Sequence, residues 1–217
     1  MANPYWPLFD LRVTTPRLEI RLPTDDDLYQ LLEVADAGVH DPATMPFTIA
    51  WTDVPAPRRH RESLQWWWSR RAQWKPEDWS FTGAVFVDGE PVGVQDLAAQ
   101  DFATRRAVTT GSWLGQRYQG RGLGKEMREA ILHFAFEGLG ALEAHTAAFP
   151  DNHPSLGVTR SLGYTGNGQD IVVRRGERAR QLRFRLDHAA WSALRRSDIS
   201  VSGLEACQEM FGLGTAA

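Results

Sequence analysis

W-L-G-Q-R-Y-Q-G-R-G-L-G-K, residues 113–125, is the stretch on which the rest of the chain turns. Strand-like residues lead into a glycine-rich turn, and the turn opens a helix whose first backbone amides have no partner within the helix. Glycine lets the backbone approach a ligand closely, and free amides at a helix N-terminus favour an anion. The stretch therefore reads as a phosphate cradle, and its neighbours must say whose phosphate.

Upstream, Trp79 to Val87 and Glu90 to Leu97 are alternating apolar runs joined by Asp88-Gly89, a strong hairpin signal. Arg106 to Leu114 is a third run, so the loop follows a meander. Downstream, Gly122 to Phe136 places Met127, Ala130, Ile131, Phe134 and Ala135 on one helical face, with a stop at Gly138. A strand from Leu142 to Phe149 follows, then a short helix from about His153 to Leu162 with Pro154 in its first turn. Gly166 to Gly168 breaks the chain; Ile171 to Arg174 and Gln181 to Leu186 form a closing strand pair, and Asp187 caps a last helix through Arg195.

Nearer the N-terminus, Arg17 to Leu22 alternates as a half-buried strand. Thr24 and Asp27 resemble a capping box for a helix carrying Leu28, Leu31, Leu32 and Ala35. Residues 1–16 read as an arm broken by Pro4, Pro7 and Pro16, and residues 201–217 as a weakly patterned tail. Pro42, Pro46, Pro55 and Pro57 make the segment from Asp41 onward an irregular cover. Arg58 to Trp74 is helical and contains Trp66, Trp67 and Trp68 in succession; neighbours on a helix lie about 100° apart, so three adjacent indoles cannot share one core. They serve as large core residues, or line an acceptor pocket, or form a homodimer interface.

With 217 residues the chain can bury a full core, and we expect one domain over residues 17–200. The expected class is α/β (α+β), with a mixed, mostly antiparallel twisted sheet of about seven strands flanked by helices. A net charge of −3 argues against a dedicated nucleic-acid binder. The single cysteine, Cys207, excludes an internal disulfide and a thiolate zinc site, so no metal is expected. With no signal-peptide pattern and no apolar run of membrane-spanning length, the expectation is a soluble cytoplasmic protein with no membrane partner.

Spacing separates the owners of glycine-rich phosphate loops. The nucleotide-hydrolase loop G-x-x-x-x-G-K-[ST] fails twice, because Gln119 stands where the first glycine is needed and Glu126 replaces the magnesium-binding hydroxyl. The dinucleotide fingerprint fails because the glycines run 120, 122, 124 and follow hairpins rather than the first strand of a βαβ unit. Gln119 to Gly124 instead fits Q/R-x-x-G-x-G/A, and the chain here resembles the coenzyme A loop of the GNAT acyl-CoA N-acyltransferase superfamily. The order of elements over residues 17–187 agrees, and Asn152, Ser155 and Leu162-Gly163-Tyr164 look like the signature of its RimJ/RimL branch, which acetylates N-terminal amines of ribosomal proteins.

The resemblance implies transfer of an acyl group from a thioester to an amine in a ternary complex. Amides of Gln119, Gly120, Arg121, Gly122, Gly124 and Lys125 would hold the pyrophosphate; Ser112 and Leu114 would pair with the pantetheine through their backbones, one N–H polarising the thioester carbonyl. Asn152 would bind the pantetheine arm, and Ser155 would protonate the departing thiolate, since Thr159 stands where many relatives carry a tyrosine acid. Ser155 has a plainer use as a residue that only caps its helix. Asp96 is the first candidate for a general base, with Glu143 and His145 behind it, and each has a structural alternative. W-P-L-F-D-L at 6–11, H-D-P-A-T-M-P-F at 40–47 and S-W-L-G at 112–115 are similar to bacterial members associated with succinyl-CoA. The donor is thus acetyl-CoA or succinyl-CoA, and Arg105 and Arg106 are available cations for a succinyl carboxylate. The acceptor is an amine of a protein N-terminus, a lysine or a small molecule. A non-catalytic acyl-CoA sensor is the alternative, and modification of a polycationic antibiotic is a third reading.

Overall fold

The computed structural model describes residues 3–214, so the ends of the expected arm and tail lie outside the described residues. In chain order the elements are β1 (Arg12–Thr14), β2 (Glu19–Arg21), α1 (Asp25–Asp36), α2 (Arg58–Ala72), β3 (Asp78–Val87), β4 (Glu90–Gln100), α3 (Phe102–Arg105), β5 (Ala107–Leu114), α4 (Leu123–His133), β6 (Glu143–Ala148), α5 (His153–Ser161), β7 (Thr165–Arg174), β8 (Glu177–Asp187), α6 (His188–Leu194) and β9 (Ser200–Ser202). The strands form one sheet in the order β7-β8-β6-β5-β4-β3-β2-β1-β9. Every neighbouring pair is antiparallel except β5 and β6, which run parallel because α4 carries the chain back between them.

The sheet has nine strands where about seven are expected. The additions are β1, inside the expected arm, and β9, at the start of the expected tail, which pair with each other. Pro7 and Pro16 flank β1 rather than interrupt it, and Val13 alternates inward between two half-exposed neighbours. The closing pair is also longer than expected. β7 runs through Gly166–Gly168 by slipping register there, as a bulge does.

Helices cover the sheet on both faces. On one, Met127, Ile131 and Phe134 from α4 and its terminal π turn pack over Phe81, Val85, Leu97 and Val108. On the other, Leu28 and Leu31 of α1 and Trp67 of α2 pack over Ala84, Phe86 and Val94. The tryptophan triplet divides as its helical spacing demands: Trp67 is buried, while Trp66 and Trp68 are each 44% exposed. Beyond the sheet edge a third aromatic group closes the core. Trp79 lies against Trp74, Phe102 and Phe211, with centroids 4.9–6.0 Å apart, and Trp74 donates to the carbonyl of Met210. The tail therefore supplies core residues, Phe211 and Cys207, both fully buried.

One buried carboxylate fastens the N-terminal strands to the glycine loop. Glu126 of α4 accepts from Thr15 Oγ1 and from Arg17 Nε, both at 2.6 Å, and Arg17 also donates to the carbonyl of Arg121 at 3.1 Å. Burial alone would raise the Glu126 carboxyl, but the bonds from Thr15 and Arg17 and the Arg17 and Arg196 charges outweigh it and hold the group below its ordinary value of 4.5.

Two outcomes are expected. Because the folded Glu126 has the lower pKa, its contribution is complete above pH 4.5 and is lost as pH falls through the folded value. Urea midpoints of the wild type should therefore fall more steeply below that pH than those of Glu126→Gln; parallel curves would contradict the assignment. Phe211→Ala should cost about 3–5 kcal/mol by thermal or urea unfolding, the usual cost of emptying an aromatic core site. A cost near zero would mean that the tail is not part of the core.

Candidate active site

β5 and β6 pair over three residues only, from Ala107 with Glu143 to Thr109 with His145, and then separate. β5 continues to Leu114 and β6 to Ala148, so the two parallel strands open as a V at their C-terminal ends. Gly115 N–H donates to Val92 across the β4 side at 3.0 Å. Backbone direction alternates along a strand, so Gly111 and Trp113 also face β4, whereas Ser112 and Leu114 face the opening. Two side chains reach that edge: Thr146 donates to the carbonyl of Thr110 at 3.2 Å, and Gln119 Nε2 donates to the carbonyl of Leu114 at 2.8 Å.

The glycine loop lies at the end of β5. Gly120 and Gly122 adopt φ of +72° and +79°, a region that penalises any side chain, and Gly122 caps α4. Among the described residues, the amides of Gly120, Arg121, Gly122, Leu123 and Gly124 have no acceptor in the chain. Those of Gln119 and Lys125 are already used, by the carbonyls of Gln116 and Gly122. A single turn before the loop and the first turn of α4 thus engage the two end members of the expected amide set and leave the inner ones open. The Gln119 side chain is likewise committed, to the carbonyls of Val39 and Leu114 at 2.8 Å each, which ties the end of α1 to the end of β5.

At the tip of β6, α5 begins at the same edge of the sheet. Asn152 Oδ1 accepts the Ser155 N–H at 3.3 Å, an N-cap, so Ser155 presents a capped amide and a hydroxyl with no partner among the described residues. The asparagine's amide nitrogen is not used by this cap. The N-termini of α4 and α5 thus flank the open V, and both favour negative charge.

Asp96 lies on the other face of the sheet, the face of α1 and α2, between Thr82 on β3 and Gly111 on β5, which offers it no side chain. Asp96 Oδ1 accepts from Ser80 at 2.9 Å and Thr82 at 2.7 Å. Burial pushes its carboxyl above the usual range against the pull of those hydroxyls and of Arg70. His145 shares this face at the apex of the V and pairs with Glu143 at 3.3 Å, and Glu143 pairs with Arg185 at 2.9 Å. Glu143 is therefore a structural ion-pair centre. Arg105 and Arg106 stand before the start of β5, at the end opposite the glycine loop, and Arg106 bonds the carbonyl of Leu139. Strand direction removes both from the donor site.

The proline-broken segment roofs this second face. Arg174 donates to the carbonyl of Met45 at 2.7 Å, Arg175 pairs with Asp53 at 2.7 Å, and Gln181 reaches Thr48 at 3.1 Å. His40, Phe47, Trp51 and Trp113 form a run of rings with successive centroids 5.5–5.7 Å apart, leading from the roof to β5. Sequence reasoning did not single out these pins or Arg128, a buried arginine of α4 whose guanidinium contacts both arms of the V. Its placement four residues after Gly124 and three before Ile131, on the sheet-facing side, was the available signal.

Comparison with known proteins agrees with this geometry. The family described as acetyltransferase (GNAT) domain matches residues 17–165, more than half of the chain. Mycobacterium smegmatis RimJ, solved in complex with CoA-disulfide, is 17% identical, with 93% of this chain and 94% of that one covered and a TM-score of 0.70. A putative ribosomal-protein-serine acetyltransferase from Vibrio cholerae is 22% identical over 82% of this chain and 98% of that one, with a TM-score of 0.64. RimL, a ribosomal L7/L12 alpha-N-protein acetyltransferase in complex with coenzyme A, is 16% identical over 81% and 97%, with a TM-score of 0.62. At these identities the likeness is one of fold.

The Asp96 environment makes a signed prediction. A carboxyl whose folded pKa is raised costs stability once ionised, so its contribution falls as pH rises through the folded value. Asp96→Asn keeps an oxygen to accept from Ser80 and Thr82, and it should melt no lower than the wild type at neutral pH. The difference should shrink on acidification towards the ordinary aspartate value of 3.8. A neutral-pH melting point well below wild type would overturn the stated cause.

Proposed function

The chain belongs to the GNAT acetyltransferase family, and on that premise we propose that it moves an acetyl or succinyl group from a coenzyme A thioester to a primary amine by direct attack in a ternary complex. The observation that carries the reading is the V between β5 and β6, with five unclaimed amides at one tip and the α5 N-terminus at the other. A pyrophosphate needs such a cradle of N–H groups at a helix start. An extended amide-bearing arm needs a free strand edge, which Ser112 and Leu114 offer. The residues present fit the group.

In this reading Gly120, Arg121, Gly122 and Gly124 bind the pyrophosphate through their amides, with the side chains of Arg121 and Lys125 adding charge outside. The backbone N–H groups of Ser112 and Leu114 orient the arm, and one of them polarises the thioester carbonyl. Asn152 offers its free amide nitrogen to the arm while its oxygen caps α5. Ser155 supplies the hydroxyl proton for the leaving sulfur. Asp96 receives a proton from the acceptor: its raised pKa brings it closer to the working range of a base, and it lies on the face opposite α4, beside Ser80 and Thr82. His145, nearer the apex of the V, is the competing base.

A free α-amino group has a pKa of about 8, so it needs little help at neutral pH, whereas a lysine at about 10.4 needs a strong base. The protein N-terminus is accordingly the first acceptor to test, a choice that the RimJ/RimL-like fold and tail signature also favour; lysine and small amines come next. We further propose a cytoplasmic protein that acts as a homodimer through the exposed surface of α2, where the half-exposed Trp66 and Trp68 flank the buried Trp67. Among the described residues no helix is long and apolar enough to cross a membrane.

Isothermal titration with acetyl-CoA and succinyl-CoA should detect binding of at least one, and no heat from either at about 1 mM, a threshold of roughly −4 kcal/mol, would sink the proposal. With a peptide bearing a free N-terminus as acceptor, thiol release by Ser155→Ala should fall about 100-fold or more, the usual worth of a general acid. Binding without turnover on a panel of N-terminal, lysyl and small amines would instead favour the acyl-CoA sensor.

A further inference from the structure

Arg128 is the side chain at this site that the proposed mechanism leaves unused. It is 5% exposed, on the face of α4 that packs against the sheet. Its Nη2 donates to Ser112 Oγ on β5 at 3.0 Å and its Nη1 to Thr146 Oγ1 on β6 at 3.3 Å. Ser112 lies three residues beyond the last pair of the two strands and Thr146 one residue beyond it. The guanidinium therefore spans the V just where the strands have come apart. Among the described residues Arg128 forms no ion pair, and its buried Nε has no partner. Tyr164 is a titratable group beside it; burial lifts that phenol above its usual range despite the pull of Arg128 and Thr110, so it supplies no counter-charge. A buried cation left without an anion is costly, and an anion arriving beside it recovers that cost.

The hydroxyl protons say where the anion belongs. A hydroxyl has one proton to give. Thr146 spends its own on the carbonyl of Thr110 at 3.2 Å while accepting from Arg128. Ser112 also accepts from Arg128, but its proton has no acceptor in the chain among the described residues. Accepting from a guanidinium polarises an O–H and makes it a stronger donor. Ser112 is two residues deeper in the V than Leu114 and the glycine loop, too deep to meet a pyrophosphate held at the loop. Two atoms of an acyl-CoA gain negative charge inside the cleft during transfer: the carbonyl oxygen, which a strand N–H meets, and the sulfur, which leaves as a thiolate.

We infer that Arg128 is a positioning residue that aims and polarises the Ser112 hydroxyl, which donates a hydrogen bond to the departing sulfur of coenzyme A. The inference rests on the acyl-CoA reading given above. The bond from the amine nitrogen to the acyl carbon forms, the carbon–sulfur bond breaks with its electron pair on sulfur, and the proton lost by nitrogen passes to the base and then to solvent. Ser112 keeps its proton and shares it with the thiolate. Ser155, at the other tip, gives the thiolate its proton before release and recovers one from solvent.

The test reads the thiol rather than turnover. The ultraviolet thiolate absorbance of bound coenzyme A is titrated in wild type, Ser112→Ala, Arg128→Met and Arg128→Lys, and desulfo-coenzyme A binding is measured by calorimetry as the control without sulfur. Wild type should lower the thiol pKa by about one unit or more from that of free coenzyme A, equivalent to roughly tenfold tighter binding of thiolate than of thiol. Ser112→Ala and Arg128→Met should lose that preference while binding desulfo-coenzyme A as wild type does, and Arg128→Lys, which keeps the charge, should restore part of it. An unchanged thiol pKa in Ser112→Ala overturns the inference, as does an Arg128→Met variant that loses desulfo-coenzyme A as much as coenzyme A, which would make the arginine a strut. A loss confined to succinyl-CoA overturns it too, by assigning the charge to the acyl carboxylate. If Arg128→Met does not fold, Ser112→Ala decides alone. Wild type that binds neither coenzyme A nor its desulfo form would instead overturn the underlying acyl-CoA reading.

Discussion

The structure depends on one pairing that stops. β5 and β6 share three residue pairs and then part, and a parallel pair that parts leaves two strand edges with unspent backbone groups facing each other. Buried polar groups of that kind need partners. Here some are met by side chains, Thr146 on Thr110 and Gln119 on Leu114, and the remainder face the opening. The same parting brings two helix N-termini to one edge, since a strand running parallel to its neighbour ends beside it and each is followed by a helix. An anion site and an extended-chain site thus arise together from one topological fact, before any particular side chain is considered.

Holding the V open requires the surrounding elements to be fixed from outside it. Glu126 does this on the glycine-loop side, joining Thr15 and Arg17 of the N-terminal turn to the start of α4, so the loop cannot shift without breaking a buried charged contact. Gln119 joins the loop to the end of α1. On the opposite side Arg174 and Arg175 fasten the β7–β8 hairpin to the proline-broken roof, and Arg174 also pairs with Asp151, just before α5. These contacts join residues more than a hundred positions apart in several cases. Salt-bridge worth at exposed sites is small, about 0–1 kcal/mol each, so their effect lies in geometry more than in net stability.

Much of this was legible in the chain. The apolar stripe Met127, Ala130, Ile131 and Phe134 announced α4, Asp88-Gly89 announced the β3–β4 hairpin, and glycine spacing separated coenzyme A from nucleotide loops. What escaped reading had physical reasons. Three-residue strands such as β1 and β9 are too short to show a period, and Cys207 and Phe211 join the core through a turn that has none. β7 passes through two glycines because a bulge absorbs them. An arginine on an amphipathic helix is ordinarily solvated, so the position of Arg128 on the apolar face marks it as unusual but does not disclose a tertiary role that only the parting of β5 and β6 creates. Arg105 and Arg106 show the complementary limit: adjacency in sequence to β5 says nothing of the donor site until the strand's direction relative to the loop is known.

That contrast explains why the two halves of the site differ in what they disclose. The donor half is built from backbone: glycine φ values, helix starts and strand edges, each of which leaves a compositional trace at fixed spacing. The acceptor half is built from side chains that long-range contacts bring together. Its rings come from residues 40, 47, 51 and 113, its carboxylate from β4, its imidazole from β6 and its fastenings from β7 and β8. No spacing rule connects these positions. The roof over them is itself irregular, fixed by three polar contacts to the hairpin rather than by ladder bonds. Such a roof can change its sequence without disturbing the sheet, so under the proposed function the chemistry of the donor would be tied to the fold and the choice of amine left to the segment from His40 to Pro57.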